Sequence, residues 1–411
     1  MPRSRIITGG VLGIVIAIAA VVFLVGPDGD GGSTAPSATP SGPSGTDRTP
    51  DTGTGPGPDA GSGTEPTTTA PTTTVAHDPA RTLAPVRVRA INGAISPKSV
   101  VATGKGRVFA QNMMYNHSVT VYDRAGNLVR TIPDGVRLAR FGVTGHPGVS
   151  QGAPVEAAVD GAGKKMFVSN YAMYGTGHGP EGSDECGGPS GLTPSFVYRI
   201  DLARLEIDGV ARVGQTPKYV AVTPDDRYVL VTNWCSYDMS VVDHATLREV
   251  RRVPLGRFPR GIAVDRASRT AYVAVMGSYD IAKVDLQTFG VSWIRGVGSG
   301  PRHLVLSADG SRLYATLNGA GQVVAIDTAT DQVVGRVSTG SQPRTMAISA
   351  DDRALYVVNY SSSTVSVLRR SDLSIVETLP VCGNPIGITY EPVAHRLWVA
   401  CYGGEIQVFD A

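Results

Sequence analysis

Five cationic side chains recur at one position of a repeated pattern. Lys98, Lys218, Arg260, Arg302 and Arg344 each directly follow a proline, and Val155 and Ile386 hold the two equivalent positions. Cations that converge on one concave site favour an anionic ligand. Aromatic side chains recur near them in the pattern: Tyr171, Trp234 and Tyr360 each stand just past an Asn that ends an apolar stretch. Aromatics beside cations are the composition of a binding rim, and equally of ordinary packing. His303 adds an imidazole next to Arg302. We therefore take Lys98, Lys218, Arg260, Arg302, His303, Arg344, Tyr171, Trp234 and Tyr360 as the candidate ligand-binding set. Its expected ligand is an anionic small molecule or envelope polymer, or an envelope protein.

Other chemistry is weakly signalled. His117, His146, His178 and His303 lack a metal-ligand spacing such as HExxH. Glu181, Asp184 and Glu185 cluster without the spacing of a calcium loop. There is no GxSxG elbow and no Walker loop, so no catalytic residue is assigned and neither metal nor cofactor is expected. The formal net charge is +2 with no long basic run, which argues against nucleic acid as a partner.

What must position these residues is a repeat. Pro217, Pro259, Pro301, Pro343 and Pro385 are spaced by 42, and Pro154 and Pro97 begin the same pattern earlier, at intervals of 63 and 57. After each Pro comes an apolar strand, then an Asp- or Gly-rich turn, a basic residue, a second strand (MFVSN, VLVTN, AYVAV, LYATL, LYVVN, LWVAC), a third strand ending in Asp and a fourth alternating strand. Four antiparallel strands in about 40–45 residues make one propeller blade. Seven units predict an all-β, seven-bladed β-propeller over 86–411. The last unit has only three strands, and VRVRAING at 86–93 is expected to supply the fourth, closing the ring and removing an edge.

FVSN at 167–170, LVTN at 230–233 and YVVN at 356–359 resemble the YVTN-repeat (YncE-like) seven-bladed propeller family. The resemblance implies an extracytoplasmic protein, in a family mostly without an assigned reaction. At superfamily level it extends to lactonase and quinoprotein-dehydrogenase propellers, a relation of fold.

The segment before the repeat places the protein. Residues 1–5 carry Arg3 and Arg5, and 6–25 are an uncharged apolar run followed by Asp28 and Asp30. At about 1.5 Å per residue this run spans a bilayer, with 1–5 cytoplasmic. It is longer than the apolar region of a cleaved signal peptide, the rival reading. Residues 26–85, rich in Pro, Thr and Gly, read as a disordered stalk. The propeller is thus expected outside the cytoplasm on a single-pass anchor, where four cysteines fit disulfides. Four cysteines allow three pairings. Cys382 and Cys401 sit at two ends of one hairpin. Cys186 lies in an insertion, 171–194, that could be stapled to Cys235 of the next unit. That insertion and a second one, about 137–153, are expected on the face that holds the cations. The reading that follows is an extracytoplasmic binding module. The alternative is a lactonase-like hydrolase or quinoprotein-type oxidoreductase using His303 and Glu156.

Overall fold

The computed structural model describes residues 79–179, 181–182, 184–186 and 191–411. The expected anchor 6–25 and most of the stalk lie outside these. Among the described residues no helix is long and apolar enough to cross a membrane.

Seven antiparallel sheets follow one another, six built from consecutive strands and the seventh from the last three strands plus the N-terminal Val86–Ile91. Blade three is representative: Pro217–Val222 innermost, then Tyr228–Asn233, Asp238–Asp243 and Glu249–Pro254. The inner strand of each blade packs on that of the next. The last, Pro385–Glu391, packs on the first, Pro97–Ala102, so the ring is closed. Closure is sealed as expected. Val86–Ile91 pairs with Glu405–Asp410, Val86 opposite Asp410 and Ile91 opposite Ile406.

The second strands read as continuous apolar runs because both of their faces are covered. In Tyr228–Asn233, Val229 and Val231 pack with Phe167 and Val197 of blade two. Tyr228 and Leu230 pack with Ile262 and Val273 of blade four. The two-residue strand period assigns alternate side chains to opposite blade interfaces. Each buried Val or Leu contributes about 1.5–3 kcal/mol. In blades one to five the Asp that ends the third strand caps the next turn. Asp243 Oδ1 accepts the Thr246 N–H at 2.8 Å, and Asp327 Oδ1 the Thr330 N–H at 3.0 Å. The basic residue that opens the second strand sits opposite it, Arg312 on Asp327 at 2.6 Å and Lys165 on Asp201 at 2.8 Å.

Two features depart from the plain repeat. The folded body starts before the closing strand: Arg81–Leu83 forms a short 3₁₀ turn on blade six. There the Thr82 carbonyl accepts from the Tyr356 hydroxyl at 2.7 Å, so residues 79–85, expected as the end of the stalk, are part of the body. Blade two has elongated inner strands, Ser150–Val159 and Lys165–Tyr174, and a short fifth strand, Gly135–Val136. These extensions carry both insertions on one face, where His146 and His178 stack at 4.1 Å.

Candidate functional site

Each inner strand begins with its Pro, whose missing N–H suits a strand's first residue. Immediately after it the pairing slips. Register breaks fall between Pro97 and Ser99, Pro217 and Tyr219, Pro301 and His303, and at the corresponding place in the other four blades. Each of the five cations, like Val155 and Ile386, therefore lies inside a β-bulge, a device that re-aims a side chain at the cost of local pairing. In blades three to seven the residue before the Pro has positive φ, including Thr216, Phe258, Gln342 and Asn384. Its carbonyl accepts the N–H of the residue after the second strand, as in Thr216 to Trp234 (3.0 Å), Gln342 to Tyr360 (3.1 Å) and Asn384 to Tyr402 (3.0 Å). This recurrent hydrogen bond sets the next side chain beside the bulge: an aromatic in blades three, six and seven, Met276 in blade four and Asn318 in blade five. The strand-ending Asn residues reinforce it: Asn233 Oδ1 accepts from Gly214 N, and its amide donates to Asp238 and Ser240.

The ring that results is buried. Lys98, Lys218, Arg260 and Arg302 are 9, 3, 8 and 6% exposed. Lys98 lies over Tyr402 at 4.9 Å, Lys218 over Tyr171 at 4.2 Å and Trp234 at 5.2 Å, Arg260 over Trp234 at 5.8 Å, and Arg344 over Tyr360 at 3.6 Å. Arg302 Nη1 contacts the Met276 sulfur at 3.7 Å. Cation–π contacts of this kind contribute about 0.5–2 kcal/mol each, which does not neutralise a charge. Lys218 forms an ion pair with Asp184 of the insertion. For Lys98, Arg260 and Arg302 no carboxylate of the described residues approaches within 4.0 Å. Burial, and then the charges of Lys218, Arg344, Arg260 and Arg302, lower the Lys98 ammonium well below its ordinary value. Burial followed by the Arg260 and Arg344 charges does the same to Arg302. The ring is thus a strained concentration of positive charge.

One residue further along each inner strand lies a second level: Ser99, Glu156, Tyr219, Gly261, His303, Thr345 and Gly387. The Tyr219 hydroxyl meets His303 Nε2 at 3.1 Å. Blade four places Gly261 between their strands, where a Cβ would stand 2.8 Å from the His303 Cα. Burial, then Arg260 and Arg302, lowers His303 to about 3. The imidazole is therefore neutral, and among the described residues its buried Nδ1 has no hydrogen-bond partner. Glu156 is 8% exposed. Burial pushes its carboxyl up to about 7 against the pull of Arg260, Arg302 and Lys98.

The insertion covers one side of the ring. Lys218 donates to Asp184 Oδ1, Tyr171 OH approaches the same oxygen at 3.3 Å, and Trp234 Nε1 donates to the Asp184 carbonyl at 3.3 Å. Burial opposes ionisation of Asp184, but Lys218, with Arg260 and Lys98, holds its carboxyl well below the usual range. Lys218 itself is lowered by burial to about 8, although Asp184 opposes the shift. Two residues on, Cys186 bonds Cys235, with Cα atoms 5.0 Å apart, and Cys382 bonds Cys401 at 5.9 Å. Both expected pairings are present. Of the other expected groups, Glu181 accepts from the Tyr174 hydroxyl at 2.8 Å, and His117 contacts the Gly152 carbonyl at 3.0 Å beside Tyr174.

The structure thus brings the five cations, His303, Tyr171, Trp234 and Tyr360 to one face around the inner strands. The repeat pattern alone did not reveal Ser99, Tyr219, the bulges or the Asp184 ion pair. Reading the repeat one position past each cation would have exposed the second level.

Comparison with known proteins reaches the same architecture. A family model, the Cytochrome D1 heme domain, matches residues 301–395, which span blade five, blade six and the start of blade seven. No curated protein matches. Among solved structures, Kuenenia stuttgartiensis Hydrazine Synthase is similar over 77% of this chain and 96% of its own, at 17% identity and a TM-score of 0.60. The β-propeller domain of Cps50 (Swd1) from Myceliophteria thermophila is similar over 80% and 99%, at 13% identity and a TM-score of 0.61. These likenesses carry the fold alone. The fold is that of a seven-bladed propeller.

Proposed function

We propose that the protein is a binding module whose buried cationic ring takes an anionic ligand outside the cytoplasm. The observation that carries this reading is that Lys98, Arg260 and Arg302 are each more than nine-tenths buried without a carboxylate partner in the described residues. Burying an uncompensated charge costs several kcal/mol. A multivalent anion would supply the missing charge, and the aromatic walls would fix its position. The two disulfides support an oxidising compartment. The apolar run at 6–25 supports attachment to a membrane, with the propeller held off it by the segment that follows.

The family match and the hydrazine synthase likeness bear on the oxidoreductase alternative. A haem would find cations for its carboxylates here. The imidazole nearest the cations, His303, is enclosed on the second level, with Nε2 engaged by Tyr219 and only 9% of the residue exposed. The residues do not fit that group, and we derive no reaction through it.

A thermal-shift panel of phosphate, sulfate, citrate and succinate on the full chain tests the reading. At about 100 times Kd, a ligand should stabilise by about 2.7 kcal/mol. The combined Arg260→Ala, Arg302→Ala and Arg344→Ala variant should not respond. Equal responses from variant and parent would remove the ring as the site. Turnover of a lactone panel, or quinone-dependent redox activity, would favour the alternative.

A further inference from the structure

Lys218 is a cation of the ring that already holds an anion. Its ammonium donates to Asp184 Oδ1, and the Tyr171 hydroxyl approaches the same oxygen at 3.3 Å. The Tyr171 and Trp234 rings flank the ammonium at 4.2 and 5.2 Å. An ammonium, a hydroxyl and two aromatic faces around one carboxylate make a complete carboxylate subsite. Its occupant belongs to the chain itself.

That occupant can be exchanged. The Asp184 side chain is 54% exposed and the Lys218 side chain 4%, so the carboxylate lies on the solvent side of the ammonium. The backbone at Asp184 is held by contacts that do not use the carboxylate. Trp234 Nε1 donates to the Asp184 main-chain carbonyl at 3.3 Å, and Cys186, two residues on, is bonded to Cys235. When its side chain turns off Lys218, Asp184 therefore stays close by. A group tethered in this way acts at an effective concentration on the order of millimolar.

Trp234 also carries Arg260, whose guanidinium lies 5.8 Å from the same ring and has no carboxylate of the described residues within 4.0 Å. Resting on the anion-binding reading above, we propose that Asp184 sets the valence of the ligand: it closes Lys218 to singly charged anions and yields it to anions of two or more charges. A monocarboxylate from solution exchanges one carboxylate–ammonium contact for an identical one, against a tethered competitor, and gains nothing. A multivalent anion makes the same contact and adds another to Arg260, which Asp184 leaves without a carboxylate. The ligand class is thus the multivalent one, and Asp184 is the residue that selects it.

The test titrates acetate and citrate, which share the carboxylate and differ in valence, into the full chain by calorimetry at about pH 6. There carboxylic acids are ionised, and Lys218, lowered to about 8, keeps its proton. Asp184 raises Lys218, so a variant without it lowers Lys218 further, and about pH 6 keeps the ammonium charged more securely than neutrality does. Asp184→Ala should bind citrate about 10-fold more tightly than the parent, its competitor being gone. Acetate at about 50 mM should refill the vacated subsite and weaken citrate binding to Asp184→Ala about threefold or more, with a much smaller effect on the parent. Asp184→Asn keeps the side-chain volume and an acceptor for Tyr171, and it too should bind citrate more tightly than the parent. Citrate affinity equal to the parent's or lower in both variants, or an equal effect of acetate on the parent and on Asp184→Ala, would overturn the role of Asp184 while leaving the ring as an anion site. If citrate binds neither the parent nor either variant, the anion-binding reading itself fails, and this inference with it.

Discussion

An Arg302→Met substitution exchanges a buried guanidinium for an apolar chain of similar length. Arg302 is 6% exposed, contacts the Met276 sulfur at 3.7 Å, and faces the like charges of Arg260 and Arg344. Among the described residues its Nε has no hydrogen-bond partner. Methionine would keep the sulfur contact apolar and remove both the desolvated charge and the repulsion. Replacing buried ionic groups by apolar ones of matched volume is commonly neutral or stabilising by about 1–4 kcal/mol. We expect the variant to gain about 1–3 kcal/mol in buffer free of multivalent anions. Chemical denaturation followed by tryptophan fluorescence measures this, Trp234 lying close to the ring. With phosphate at about 100 times Kd the parent should gain about 2.7 kcal/mol. The variant should gain much less, so the gap between them should close or reverse. If Arg302→Met instead loses about 3 kcal/mol or more without added anion, Arg302 is a satisfied structural charge, and the strained ring is misread.

Three further outcomes follow from the same contacts. The combined Cys186→Ser and Cys235→Ser variant should lose up to about 4 kcal/mol in the chain-entropy limit for a 49-residue separation, and should expose the 171–194 loop to limited proteolysis. Removing residues 1–78 should leave a monomeric propeller, whereas removing 1–91 strips the strand paired with Glu405–Asp410 and should give aggregation by light scattering. Because the folded state raises the Glu156 carboxyl to about 7, its contribution to stability is fully present below roughly pH 4 and is lost as pH rises through about 7. Denaturation midpoints in anion-free buffer at pH 5 and pH 8 should therefore differ by less in Glu156→Gln, the difference being on the order of 3 kcal/mol.

The fold was legible because each blade repeats its punctuation. Pro259, Pro301, Pro343 and Pro385 mark inner-strand starts, and Asp243, Asp285 and Asp327 mark the turn caps. The closing strand was legible as an alternating segment with no blade of its own. The cation ring followed from symmetry, since equivalent positions in a closed repeat must face one axis. The bulges were not visible, because Lys98 or Arg302 within a bulge leaves the strand's apolar alternation intact on either side. The Tyr219–His303 contact spans two blades past Gly261, a neighbour relation that exists only once the ring closes. The Lys218–Asp184 pair depends on how a long insertion folds back, and no local signal sets that.

The most direct test is equilibrium dialysis of labelled phosphate against the full chain at neutral pH and low ionic strength. The account predicts one saturable site per chain that is lost when Arg260 and Arg302 are both changed to Met, with the fold retained by circular dichroism. Absence of saturable binding in the parent, or binding undiminished in that double variant, would contradict it.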